Sequence, residues 1–211
     1  MPKQVDHAER RREIIEALWR VTTRDGLAAV SFRDVAAEVG VSVRQIQYYF
    51  GTKAKLLHEA IQMLGERVVG RSLEHIAAAG PEPTQRALLR AAINGSLPTD
   101  DESRTHTLLF FSFYVAAMTD PTLSSAESLS SPRWTVPFAA ELIRKARQEG
   151  ETRADIDPDR EALVLMSAFS GLSLSTLAGL QTPDEAMTII DYYLEQLFRP
   201  KRRRRSSAGS E

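Results

Sequence analysis

The sequence predicts an all-α protein of about nine helices. Three observations carry that prediction: helical periodicity runs almost from end to end, helix caps punctuate it, and alternating strand patterns bounded by hairpin dipeptides are absent. The composition is that of an ordinary globular protein, with 211 residues, 43% of them apolar, and 27 basic against 28 acidic side chains. Collagen-like, mucin-like and disordered chains are thereby excluded. The chain has no cysteine, so disulfide frameworks, thiolate zinc sites and cysteine nucleophiles are excluded too. Met1-Pro2-Lys3-Gln4 runs straight into charged residues without an apolar signal segment, and a cytoplasmic location is the expectation.

The first helix is expected from about His7 to Arg24, with Ile14, Ile15, Leu18, Val21 and Thr22 on one face and Gly26 free to end it in the left-handed region. Ser31-Phe32-Arg33-Asp34 reads as a capping box that opens a short helix over Val35, Ala36 and Val39, which Gly40 stops. Two residues on, Ser42-Val43-Arg44-Gln45 reads as a second capping box for another short helix, with Ile46 and Phe50 one turn apart on its buried side. Thr52 then caps a long helix from Lys53 to about Ala78, whose stripe is Leu56, Leu57, Ala60, Ile61, Leu64, Val68 and Ile76.

Further helices fit about Thr84 to Asn94 and Arg104 to Met118, the latter nearly all apolar and therefore expected at the centre. Between Asp120 and Arg133 no regular element is legible. Pro132 and Pro137 predict a break or kink, with a regular helix only from about Phe138 to Gln148. Asp157-Pro158 and Thr182-Pro183 open two last helices, to about Ala178 and Phe198, each with a cap, Pro at the first helical position and acids in the first turn. The 22 uncharged residues from Ala162 to Pro183 include six Ser or Thr and three Gly or Pro, between acidic flanks. They read as a helix buried against protein rather than a membrane span.

Charge is unevenly placed. Residues 1–55 carry a net +3, residues 56–198 a net −9 and the last thirteen a net +5. A basic head, an acidic body and a basic tail direct a polyanion to the ends of the chain. The expected organisation is a head over 1–52, a helical body over 53–200 and a basic disordered tail over 201–211.

Two short capped helices joined by Gly40-Val41, between a longer helix and a very long one, have the spacing of a helix-turn-helix. With Ile46 and Phe50 facing inward, Arg44 and Tyr48 point directly away from the core and Gln45 and Gln47 flank them. Arg bridges guanine O6 and N7 and Gln bridges adenine N6 and N7, so this face suits base edges in a major groove. Ser42 sits at the start of the helix. Tyr48, Tyr49 and Lys53, at its end and at the next N-terminus, suit phosphates, while Arg33 suits a base edge or a phosphate. The alternative is a solvated face of a small helical bundle.

Residues 27–57, LAAVSFRDVAAEVGVSVRQIQYYFGTKAKLL, resemble the DNA-binding signature of the tetracycline-repressor (TetR) family. The resemblance rests on the capped second helix, the Gly-Val-Ser turn at 40–42, the Tyr49-Phe50 pair and the Lys53 to Leu57 helix start. Arg44 stands where that family often has a small residue and Gln47 where it often has Tyr, so operator preference does not transfer. Phe50-Gly51-Thr52-Lys53, the stretch from Phe113 to Leu123 and RQEGETRADIDP (147–158) resemble its betaine-regulator-like branch. The resemblance implies a DNA-binding head of three helices, a small-molecule pocket in the middle helices and a homodimer made by the last two.

Phe110, Phe111, Phe113, Tyr114, Met118, Trp134, Phe138, Met166 and Phe169 gather the body's aromatic and thioether side chains into three segments. Such a stripe is more often core than pocket. With the resemblance, Phe110, Phe113, Tyr114, Trp134, Phe138, Met166 and Phe169 are the expected ligand-binding residues, and an apolar lining implies a lipophilic or aromatic effector. Ser167, Gly171, Ser175 and Gly179 form a stripe of small residues that permits close helix approach, and Ile190, Tyr193, Leu194 and Leu197 complete the expected dimer interface. No cofactor is expected. The four histidines lack metal-ligand spacing, His106 beside Asp100, Asp101 and Glu102 being the weak exception, and neither a phosphate loop nor a nucleophile elbow is present. The reading is therefore a repressor released from a palindromic DNA operator by a small apolar effector. A constitutive dimeric DNA-binding architectural protein is the alternative.

Overall fold

The computed structural model describes residues 7–120 and 135–199. Over these residues the chain forms nine α-helices: α1 (His7–Asp25), α2 (Phe32–Val39), α3 (Val43–Phe50), α4 (Lys53–Ala77), α5 (Gln85–Ser96), α6 (Asp101–Thr119), α7 (Thr135–Gln148), α8 (Pro158–Leu177) and α9 (Pro183–Leu197). A short 3-10 turn at Leu27–Ala29 follows α1. Most starts are set by side-chain caps: Ser31, Asp100 and Thr182 form reciprocal capping boxes, and Ser42, Thr52, Thr84 and Asp157 accept backbone N–H bonds. The Ser42 box is one-sided, since its hydroxyl accepts from the Gln45 N–H without a returning bond, which leaves the Gln45 amide available on the helix face.

Two cores organise these helices. The first joins α1, α2, α3 and the N-terminal half of α4 with Leu109, Phe113 and Ala117 of α6. The second joins α5, α7, α8 and α9. Helices α4 and α6 therefore connect the head to the body, with α4 lying along α5 and α6 against α8. Ion pairs fasten the body's outer edges, Arg90 to Asp191 at 2.7 Å between α5 and α9, and Arg144 to Asp159 at 3.1 Å between α7 and α8. Arg104 of α6 donates to the Leu177 carbonyl at 3.1 Å, meeting the free acceptors at the end of α8.

Two expectations need correction. Helix α6 is not buried all round: Leu109 and Phe113 are inside, whereas Tyr114, Val115 and Met118 are exposed. Its apolar residues serve a core on one side and leave a face open on the other. Pro137 does not interrupt α7 either, because it lies in the first turn, where no intrahelical N–H bond is required. Pro132 lies outside the described residues. No described helix is long and apolar enough to cross a membrane.

Gly95 marks where α4 and α5 press closest. A Cβ there would stand 2.9 Å from the Ser72 Cα and 3.0 Å from the Arg71 carbonyl oxygen, and backbone atoms cannot step aside. Beside it, the Ser72 hydroxyl bonds Ser96 at 2.8 Å. Gly95→Ala is expected to cost about 1–3 kcal/mol through overpacking. An unchanged denaturant midpoint would show that the two helices are not in this contact.

Candidate functional site

The turn between α2 and α3 is made by Gly40, whose φ of 77° and ψ of 36° place it in the left-handed region. From it, α3 buries Ile46 and Phe50 and turns the opposite side outward. Tyr48 is 75% exposed, Arg44, Gln47 and Ser42 are exposed and Gln45 is half-buried, so the expected face is assembled. Arg33 and Lys53 are exposed as well. Tyr49 differs from expectation: it belongs to the head's core, tilted against His7 at 5.7 Å between ring centroids. Facing inward, its ring packs and is not offered to phosphates.

The head's cations are unevenly paired. Four arginines of α1 are neutralised: Arg11 pairs with Glu59, Arg20 and Arg24 with Glu38, and Arg10 with Glu13. On the outward side, Arg44, Lys53 and Lys55 have no carboxylate partner among the described residues. Arg11 also fixes the end of α3, since its guanidinium donates to the Tyr49 carbonyl at 2.7 Å, bonds Glu59 of α4 and lies 4.7 Å from the Phe50 ring centroid. Sequence reasoning counted Arg11 only as a head charge; a bond across 38 positions left no local signal.

The body holds a cavity of ≈ 310 Å³ walled by α4, α5, α6, α7 and α8. Phe110, Phe138, Met166 and Phe169 line it, as expected of ligand-binding residues. Phe113 and Tyr114 do not. Phe113 turns into the head's core, and Tyr114 is 43% exposed with its ring stacked on Phe110 at 6.2 Å. On one helix, neighbours three or four positions apart met different surroundings. Trp134 lies outside the described residues. Phe111 joins the lining, with a polar sector that sequence reasoning missed: Arg71, Ser103, His106, Thr107 and Ser173. His106 is buried and its ring meets Trp19 of α1 edge-on at 6.4 Å, while Arg67 lies over that same indole at 4.8 Å. Burial holds the His106 imidazole below its ordinary pKa, with Glu102 opposing and Arg67 and Arg71 reinforcing the shift. Asp100 is held far below the usual carboxylate range by its bond with Arg71.

Of the expected dimer residues, Ser167 and Gly171 are exposed on α8 and Ser175 is half-buried. Gly179 does not continue the stripe, because it takes a φ of 74° just past the helix end. On α9, Ile190, Leu194 and Leu197 are buried in their own chain, and the half-buried Tyr193 donates to Glu161 at 2.5 Å. The exposed apolar residues of α9 are Ile189 and Tyr192, on the other side of the helix, and Leu163, Val164 and Leu174 accompany them on α8. Among the described residues no group of three or more acids and histidines is placed to hold a metal ion.

Residues 14–60 match the family model for bacterial regulatory proteins of the tetR family, and residues 85–199 that for the C-terminal domain of BetI-type transcriptional repressors. The chain belongs to the TetR family. It is 30% identical to the HTH-type transcriptional regulator PksA of Bacillus subtilis over 179 residues, 84% of this chain and 83% of that one. It is 26% identical to BetI of Burkholderia mallei over 204 residues, 95% of this chain and all of the relative. In fold it is similar to a TetR-family regulator from Rhodococcus sp., with a TM-score of 0.82 at 22% identity, covering 90% of this chain and 99% of that one. A regulator from Saccharomonospora viridis, solved in complex with choline, has a TM-score of 0.76 at 26% identity, covering 89% and 96%. This TetR-family protein is thus a helix-turn-helix DNA-binding transcriptional regulator and not an enzyme.

Two predictions follow from the geometry of head and joint. Arg44→Ala is expected to cost about 1–3 kcal/mol on the best operator and much less on random DNA, whereas Lys53→Ala should weaken all sequences and lower the salt slope by about 0.9. Binding titrations across salt concentrations read both, and equal losses on both DNAs for Arg44→Ala would deny it base reading. For His106, an imidazole held below its ordinary value takes up its proton more readily in the unfolded chain. Its stabilising contribution is therefore complete above about pH 6.5 and is lost as pH falls from there toward the folded value. The wild-type melting temperature should fall more steeply between about pH 7 and 5 than that of His106→Phe; parallel profiles would assign the dependence to another group.

Proposed function

We propose that this TetR-family regulator is a homodimeric cytoplasmic repressor that leaves a palindromic operator when a small molecule fills the body cavity. The observation that carries the reading is that α4 and α6 line the cavity and also complete the head's core. A ligand that moves either helix moves the reading face, and the effect on operator affinity equals its preference for one head arrangement over the other. Arg33, Ser42, Arg44, Gln45, Gln47, Tyr48 and Lys53 are the proposed DNA contacts. Phe110, Phe111, Phe138, Met166 and Phe169 are the proposed apolar contacts to the effector. The choline held by the S. viridis regulator is one candidate chemistry. Here it would meet phenylalanines but no carboxylate among the described lining residues.

A palindromic site needs two reading heads, and the chain has one. The proposed interface is the exposed face of α8 and α9 formed by Leu163, Val164, Ser167, Gly171, Leu174, Ile189 and Tyr192, with the small residues allowing close approach. Gly171 tests it cleanly, because among the described residues nothing outside its own stretch of helix lies within 4 Å of a Cβ built there. Gly171→Glu should fold normally yet sediment as a monomer, since the dimer would bury like charges without partners. Its affinity for an operator selected from random DNA should fall with it. A dimeric Gly171→Glu protein would move the interface elsewhere, and operator binding that no small molecule releases would favour a constitutive architectural role.

A further inference from the structure

The cavity contains polar atoms that the fold itself leaves unused. His106 is 6% exposed and Ser173 4%, and the Nδ1 of one and the Oγ of the other are buried with no hydrogen-bond partner among the described residues. They project from α6 and α8, which pack together, and both residues line the cavity. The Nε of Arg71, another lining residue, is likewise buried without a partner among the described residues, while the remaining guanidinium nitrogens are engaged by Asp100 and Thr99. Folded proteins seldom leave buried polar groups unmet, because each costs its full desolvation. Several such groups on the wall of one apolar cavity mark where a ligand supplies the missing bonds.

Their chemistry specifies the ligand. Arg71 Nε–H is only a donor and the Ser173 hydroxyl donates readily, whereas His106 turns Nε2 toward a Glu102 carboxylate oxygen at 3.8 Å, which favours the ring proton there and leaves Nδ1 an acceptor. A hydroxyl suits all three, accepting from Arg71 and Ser173 and donating to His106. An anion fits poorly, since the Arg71 charge is already matched by Asp100 and burial disfavours a charge on His106. A cation would lie beside Arg71 with no carboxylate among the described lining residues. Resting on the effector reading above, we infer that the effector is an uncharged molecule with a compact apolar body and one hydroxyl, which donates to His106 Nδ1 and accepts from Ser173 Oγ. Phe110, Phe111, Phe138 and Phe169 take the body. Because His106 also touches Trp19 of α1, the bonded oxygen bears on the head through a single side chain.

Four probes of similar shape separate these chemistries: 1-naphthylethanol, isopropylnaphthalene, naphthoate and naphthyltrimethylammonium. Calorimetric titration of the full-length protein should show 1-naphthylethanol binding about threefold to tenfold more tightly than isopropylnaphthalene, the worth of one net hydrogen bond, with both ions weaker. Ser173→Ala and His106→Phe should each shrink that preference while leaving isopropylnaphthalene affinity near wild type. Ser173→Ala removes only an unpartnered hydroxyl, so its folding is secure even if His106→Phe fails. Equal affinity for the two neutral probes, tightest binding of either ion, or a preference that survives Ser173→Ala would overturn the inference while leaving a ligand cavity in place. If none of the four binds or loosens the protein from its selected operator, the effector reading falls and the inference with it.

Discussion

The head of this regulator does not close its core within its own three helices. A segment of about fifty residues has little apolar surface to bury by itself. Ile14, Leu18, Val35, Ile46 and Phe50 complete their packing on Leu56, Leu57, Ala60, Ile61 and Leu64 of α4 and on Leu109, Phe113 and Ala117 of α6. Dependence on those two helices is what would make the head responsive in the proposed reading. The residues next along them, Val68 and Arg71 on α4 and Ser103, His106 and Phe110 on α6, are the cavity wall. Close packing passes a displacement on rather than absorbing it, so a wall that moves carries the reading face with it.

Electrostatics sorts the same head into a back and a front. Carboxylates at positions 13, 38 and 59 tie up Arg10, Arg11, Arg20 and Arg24 of α1, and Arg11 also donates to the Tyr49 carbonyl in the last turn of α3. Arg44, Lys53 and Lys55, without carboxylate partners among the described residues, are exposed near two glutamines and a tyrosine of α3. The net basic charge of the first fifty-five residues is small, yet part of what is uncompensated lies beside the outward face of α3. Such concentration matters more for DNA than the total does, because phosphate contacts supply affinity locally and base contacts supply choice.

Much of this architecture was legible in the residues. Caps such as Ser31, Thr52 and Asp157 announce helix starts chemically, and the Gly40 turn with Ile46 and Phe50 fixed the outward face of α3. What failed was the choice of neighbour. Phe113, Ile190, Leu194 and Leu197 are apolar residues at helical spacing, and periodicity says that they are covered without saying by what, while Tyr114 beside Phe113 is left exposed. Phe113 is covered by the head, and Ile190, Leu194 and Leu197 by their own body. The polar sector of the cavity was harder still. His106 stands out in the sequence for its acidic neighbours, but its significance lies in a nitrogen without a described partner on the cavity wall that Ser173 and Arg71 also line, an absence of contact that no local pattern encodes.

Coupling through the shared core is most directly tested by the distance between heads. The chain has no cysteine, so Ala37→Cys, at an exposed position of α2, places one spin label on each head of the dimer. Electron–electron resonance would then give the separation in free protein, on operator DNA, and saturated with whichever naphthalene probe binds tightest. The account predicts that operator-bound and ligand-saturated proteins differ in separation by several ångströms, with the free protein sampling both. A ligand-saturated protein whose heads keep the operator-bound spacing, with operator affinity undiminished, would contradict it.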